Sequence, residues 1–189
     1  MSAGADTPGL HVRAGNAMAR TRDGLLDGAL ACIQRDGLRH TTMAGIAVRS
    51  GVAKATLYNH FRTKPDLLRA LVLREAERIA VRARAAREAG SVADALDQAA
   101  GDVAALTAVR RVADSEPGAL APLLAPSDTP GWEAVRMQAG SALGHPADGP
   151  LVDLVLRWLA GQLLVPAPVT ARRATAELLA AVDLARADG

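Results

Sequence analysis

The sequence is poor in the residues that build many kinds of functional site. Its 189 residues include one cysteine, Cys32, which excludes an internal disulfide and a multi-cysteine metal centre. Aromatic side chains are nearly absent, with two tryptophans, one tyrosine and one phenylalanine. His11, His40, His60 and His145 stand alone, without a second ligand at metal-binding spacing. There is no glycine-rich phosphate loop, nucleophile elbow or paired-carboxylate constellation, so neither an enzyme nor a bound cofactor is expected. No apolar run reaches the ~18–20 residues of a membrane span without charge or proline. The start, MSAGADTPGLHVRAG, lacks the basic opening and apolar core of a signal peptide, and the expected location is cytoplasmic.

What is present favours helix. Half of the residues are apolar, and alanine, arginine and leucine dominate, all with high helix propensity. An all-α chain follows. The net charge of +2 hides an asymmetry: residues 1–90 carry 15 Lys/Arg against 8 Asp/Glu, whereas residues 91–189 carry 7 against 12. A basic half joined to an acidic half suits a protein that presents one end to a polyanion. The only two lysines, Lys54 and Lys64, fall within ten residues of one another in the basic half.

Those lysines lie in the most ordered stretch of the chain, residues 42–64, TMAGIAVRSGVAKATLYNHFRTK. Met43, Ile46, Ala47 and Ser50 recur at the i, i+3, i+4, i+7 spacing of one helical face. Thr42 stands where a hydroxyl caps the first turn, and Gly51 stands where a helix ends sharply. Leu57 and Phe61, four apart, give the next helix one buried edge. Small Ala47 suits two helices crossing closely. The pattern is that of a helix-turn-helix, whose second helix lies in the major groove of DNA. With Leu57 and Phe61 turned inward, Lys54, Thr56, Tyr58, Asn59 and His60 occupy the open side. Every one of them can donate a hydrogen bond and none is acidic. An ordinary solvated face mixes both signs of charge. Candidate DNA-binding residues are therefore Thr42, Lys54, Thr56, Tyr58, Asn59, His60 and Lys64. Asn59 and Lys54 are suited to base edges, and Thr56 and His60 to phosphate.

The segment TTMAGIAVRSGVAKATLYNHFRTKPDLL resembles the DNA-binding segment of the TetR (tetracycline-repressor-like) family. Its T-x-x-x-I-A, G-V-x-K, T-L-Y-x-x-F and K-x-x-L-L elements are in register, and the likeness covers roughly residues 20–75. It implies a three-helix DNA-binding domain followed by a helical ligand-binding and dimerisation domain. It also implies a homodimeric repressor released from a palindromic operator in double-stranded DNA by a small-molecule effector. Two departures bear on base reading. Ala53 replaces the usual cap former before the motif helix, and Ala44 and Gly45 occupy positions often charged in the family.

The expected order along the chain is then as follows. Residues 1–18, with Pro8 and no periodicity, read as a disordered arm whose Arg13, with Arg20 and Arg22, can touch the DNA backbone or minor groove. Residues 19–66 form the DNA-binding domain, its first helix running from about Thr21 to Asp36. A connecting helix spans about 64–88, with Thr63 and Asp66, or Lys64 itself, at its cap. Residues 67–189 form the second domain, with Gly90-Ser91 as its first break. Helices are expected at about 92–106, 107–115, 118–124 and 132–143. Two more follow, the last beginning at Thr170.

In that domain Leu96, Val103, Leu106, Trp132, Met137 and Trp158 are candidate pocket walls, and their lack of polar groups favours an apolar ligand. The last two helices are apolar on both sides. Their Leu151, Leu154, Trp158, Ala174, Leu178, Ala181 and Val182 are candidates for a homodimer interface built as a four-helix arrangement. A protein that coats DNA without sequence preference or ligand response is the alternative, marked by a steep salt dependence with little discrimination between sequences.

Overall fold

The structure, a computed structural model, describes residues 8–119 and 129–187. Every described element is helical, as the composition and periodicity require. In order they are α1 (Pro8–Asp36), α2 (Met43–Arg49), α3 (Lys54–His60), α4 (Lys64–Ala89), α5 (Val92–Ala104), α6 (Thr107–Ser115), α7 (Pro130–Leu143), α8 (Pro150–Leu164) and α9 (Val169–Ala187). The chain divides into two compact units, Met1–Leu68 and Arg69–Gly189, and α4 runs unbroken through the boundary.

The first unit is built on α1, whose buried stripe is Leu25, Leu26, Ala29, Cys32 and Ile33. Cys32 is 2% exposed and fills space as a small hydrophobe. Gly28 sits at the crossing with α2, where a Cβ would overlap the Ser50 hydroxyl. That hydroxyl donates to the Gly24 carbonyl at 3.2 Å, so the crossing is both close and hydrogen-bonded. The helix stops at Gly37, whose φ of 82° closes the last turn. It begins at Pro8 and not near Thr21, so the arm expected over residues 1–18 is helical from Pro8 onward. Pro8 occupies the first helical position, where a missing N–H costs nothing, and Ala14, Ala17, Met18 and Ala19 carry the helix forward.

The second unit packs α5 against α9 and α8, with α7 and α6 also against α8. Leu96, Leu143, Val152, Val155, Leu156, Ala176 and Leu179 form its main core. An alanine-rich seam of Ala80, Ala83, Ala95, Ala99 and Ala142 lets α4, α5 and α7 approach closely. Ion pairs bind the helices at its margin: Arg82 to Asp102 at 2.7 Å, Arg172 to Asp97 at 2.6 Å and Arg173 to Asp94 at 2.5 Å. Ser91 caps α5, accepting from the Asp94 amide at 3.2 Å. The turn between α8 and α9 is held by buried Gln162, whose Oε1 accepts from the Ala167 amide at 2.9 Å. α7 starts at Pro130, two residues before the expected Trp132, with proline in its first turn. α6 spans the expected 107–115; residues 117–119 are helical, and 120–128 lie outside the described residues.

Candidate nucleic-acid interface

The helix-turn-helix is assembled from local signals. Thr41 is buried, its hydroxyl donating to the Gly37 carbonyl at 2.8 Å, while neighbouring Thr42 is exposed and caps α2 by accepting from the Gly45 amide at 3.0 Å. Ile46 and Ala47 are the buried positions of α2. The turn follows through Gly51 at φ 67°, with the Gly51 amide donating to Val48 O and the Val52 amide to Ala47 O, both at 3.1 Å. α3 then begins after Ala53, which supplies no side-chain cap. A seven-residue helix without a cap is too short to persist alone, so tertiary burial must hold it. Leu57, fully buried, and Phe61, 4% exposed, provide that anchor. The Arg22 guanidinium lies over the Phe61 ring, 5.2 Å from its centroid. Arg22, considered above as a DNA-touching arm residue, thus stacks on the motif's aromatic anchor.

With the anchor inward, Lys54, Tyr58 and Asn59 are exposed, and Thr56 and His60 are half-buried on the flanks. Tyr58 keeps 42% of its surface in solvent, and the Lys54 ammonium sits 6.0 Å from its ring centroid. The His60 and Phe61 rings are tilted at 42° with centroids 6.4 Å apart. Lys64 is half-buried, its Nζ donating to the Leu38 carbonyl at 2.5 Å. This bond ties the start of α4 to the loop before α2, a structural duty that the sequence did not reveal. An ammonium has three donors, so two are left for a phosphate. Thr63 forms the capping pair: its hydroxyl donates to the Asp66 carboxylate at 2.7 Å and accepts from the Asp66 amide at 3.2 Å.

Two further exposed cations, Arg49 at the end of α2 and Arg62 just after α3, extend the basic surface. Nothing in their spacing singled them out, because a basic residue at a helix end is common for dipole reasons alone. The Arg13 side chain lies outside the described residues; Arg20 is exposed on α1.

In the second unit the expected pocket walls differ in their surroundings. Leu96 belongs to the main core, with Trp132 and Trp158 packed half-buried against it. Val103 is buried, Leu106 is half-buried, and Met137 is 61% exposed. Two surface depressions occur in this unit, and Met137 lines one of them. One of about 460 Å³ lies along Thr107, Arg110, Arg111, Asp114 and Ser115; one of about 330 Å³ lies among Glu133, Arg136, Met137, Ala147 and Asp148. Both are open and lined by charge. Of the seven expected interface residues, Leu151 is 8% exposed and belongs to the core, because it shares the inward azimuth of Val155. Trp158 is half-buried, whereas Leu154, Ala174, Leu178, Ala181 and Val182 are exposed. Among the described residues, no helix is long and apolar enough to cross a membrane.

A short helix presented on a buried leucine–phenylalanine anchor after a glycine turn, with an open face of donors, defines a helix-turn-helix DNA-binding protein. Residues 25–71 match the model of the family described as bacterial regulatory proteins, tetR family. The match spans α2 and α3 with the adjoining parts of α1 and α4. Its fold is similar to that of the multidrug binding protein EbrR in complex with imidazole, with a TM-score of 0.53 and 20% identity over 84% of this chain and 94% of that one. It is also similar to a TetR transcriptional regulator from Rhodococcus sp. RHA1, with a TM-score of 0.52 and 20% identity over 87% of this chain and 96% of that one. A comparison with curated proteins returned no match.

Proposed function

We propose that this DNA-binding regulator is a homodimeric repressor that leaves its operator when a small ligand binds the second unit. The observation that carries the DNA-reading part is the open face of α3. Lys54, Tyr58 and Asn59 stand exposed there, and no acidic residue occurs in α3 to repel phosphate. Thr56, His60, Lys64 and Thr42 border that face, where phosphate contacts would fix the register.

The dimer is supported by apolar surface that one unit leaves in water. Leu154 and Leu164 on α8 are 46% and 52% exposed, and Leu178 and Val182 on α9 are 69% and 49% exposed. Isolated exposed apolar residues are normal; a run of them on two successive helices marks a contact surface. Ala174 and Ala181 beside them allow close helix approach. A two-fold dimer would present two copies of α3 to a palindromic operator.

The ligand reading is supported by the name of one similar structure, a multidrug binding protein, and by two tryptophans at the margin of the main core. An apolar effector would enter between Leu96, Trp132 and Trp158, which belong to one apolar cluster. Since Trp132 and Trp158 are the only tryptophans in the chain, their emission reports directly on that region. The protein acts in this reading by binding, in the cytoplasm, and not by catalysis.

The deciding experiment is selection of bound sequences from a random DNA pool by the purified protein. A palindromic consensus supports the repressor reading. Binding with a steep salt dependence and no enriched sequence would replace it with non-specific DNA coating.

A further inference from the structure

The axial position of each α3 side chain follows from Leu57, which is fully buried and fixes the inward direction. At 3.6 residues per turn, Ala55 and Asn59 lie about 160° and about 200° around the axis from Leu57. Lys54 and Tyr58 lie at about 60° and about 100°, on one flank, and Thr56 and His60 fall on the other. Ala55 and Asn59 are accordingly the crest of the helix, and both are exposed. The crest thus offers a single methyl group and, one turn further on, a single carboxamide. On α2, exposed Ala44 and Val48, the latter 82% exposed, add hydrocarbon and no side-chain donor.

We infer that Ala55 is a specificity-determining residue whose methyl group reads the C5-methyl of a thymine in the major groove, beside an adenine read by Asn59. The inference rests on the reading that α3 enters that groove. Thymine alone among the four bases presents a methyl there, and an alanine side chain is a suitable apolar contact for it. The Asn59 side chain is exposed and has no hydrogen bond among the described residues, so both its donor and its acceptor are available to the N6 and N7 edge of adenine. Ala55 and Asn59 are four residues apart, a rise of about 6 Å. That distance is close to two base-pair steps at about 3.4 Å each, so the thymine and adenine lie within about two base pairs in each half-site. A lysine or arginine at position 55 would read guanine instead; alanine leaves that choice unavailable.

The test replaces each thymine of the selected operator in turn by deoxyuridine, which removes the methyl and nothing else. Affinity is expected to fall about fourfold per half-site at one thymine position, the loss for one methyl-sized apolar contact. The same scan with Ala55→Gly, its fold checked by circular dichroism, should show that difference collapse to near unity. With Asn59→Ala the thymine–deoxyuridine difference should persist while discrimination against a neighbouring adenine change is lost. A selected operator indifferent to deoxyuridine at every position, or a difference that survives Ala55→Gly, overturns the inference and leaves the DNA-reading proposal standing. Failure to select any sequence overturns both. The DNA-side substitution needs no altered protein, so instability of a variant does not protect the idea.

Discussion

Replacing Gly51 by alanine isolates the cost of the turn that aims the recognition helix. Gly51 has φ 67°, and a Cβ built there meets nothing within 4 Å, so the substitution introduces backbone strain without a clash. A left-handed alanine costs about 1–2 kcal/mol. Loss of freedom in the unfolded chain returns about 0.4–1 kcal/mol. The net is a destabilisation of about 1 kcal/mol, and in a unit of this size that lowers the midpoint of thermal unfolding by about 4–8 °C. Asparagine tolerates the left-handed region through local hydrogen bonding, so Gly51→Asn should fall between wild type and Gly51→Ala. A loss of about 1 kcal/mol from a domain stable by about 5 kcal/mol still leaves nearly all molecules folded at 25 °C. Operator affinity at 25 °C should therefore be unchanged and should be lost earlier on warming. Far-UV circular dichroism and fluorescence anisotropy with labelled operator, both followed against temperature, measure the two quantities. An alanine variant that melts with or above wild type refutes the strain argument. So does an asparagine variant less stable than the alanine one.

Tyr58→Ala should behave in the opposite way, with the midpoint kept because the ring is 42% exposed, and operator affinity reduced by ~1–3 kcal/mol per half-site; calorimetry and DNA titration on one preparation check both. Lys64→Ala should lower stability by about 1.5–3 kcal/mol through loss of the charged hydrogen bond to Leu38 O, and should reduce the salt slope of DNA binding by about one unit if Nζ also meets phosphate. An unchanged slope removes Lys64 from the DNA contact. Joint replacement of Ala174 and Ala181 by glutamate should yield folded monomers in sedimentation; an intact dimer would move the interface off α9. The Asp94 carboxyl is held below its ordinary value of 3.8, first by the Ser91 hydroxyl and then by Arg173. Its contribution is present above that value and is lost as pH falls through the lowered one, so Asp94→Asn should flatten acid unfolding below about pH 3.8, measured by circular dichroism.

The motif was legible in the sequence because its signals are local. Thr42, Gly51, the Leu57–Phe61 pair and Thr63–Asp66 each act within a turn or two of chain, and the structure uses each as the spacing implies. The early start of α1 was not legible, since residues 1–18 show no periodicity and Pro8 reads as a breaker, although proline is well suited to a first helical position. The structural bond of Lys64 depends on a carbonyl 26 residues away, which no local pattern encodes. α8 shows the limit of periodicity on a helix apolar all round. Leu151 and Leu154, three apart, pass for one face, but Leu151 is in the core and Leu154 is 46% exposed. Met137 sits among Glu133, Arg136 and Asp148 for the same reason: apolar character alone does not say which side the neighbours occupy.

α9 turns that difficulty into a question of rotation. Its inward face, Ala176, Leu179 and Ala180, is no more apolar than its outward face of Ala174, Leu178, Ala181 and Val182. Hydrophobic burial is non-directional and would accept the helix turned half a revolution about its axis. Charge breaks the tie. Arg172 and Arg173 flank the inward face and reach Asp97 and Asp94, one turn apart on α5. In the rotated packing both carboxylates would face alanine or leucine without a cation, a mismatch that the correct packing avoids. The surface arginines of α9 thus act as an azimuthal key, and the exposed apolar face is the side left over once that key is seated.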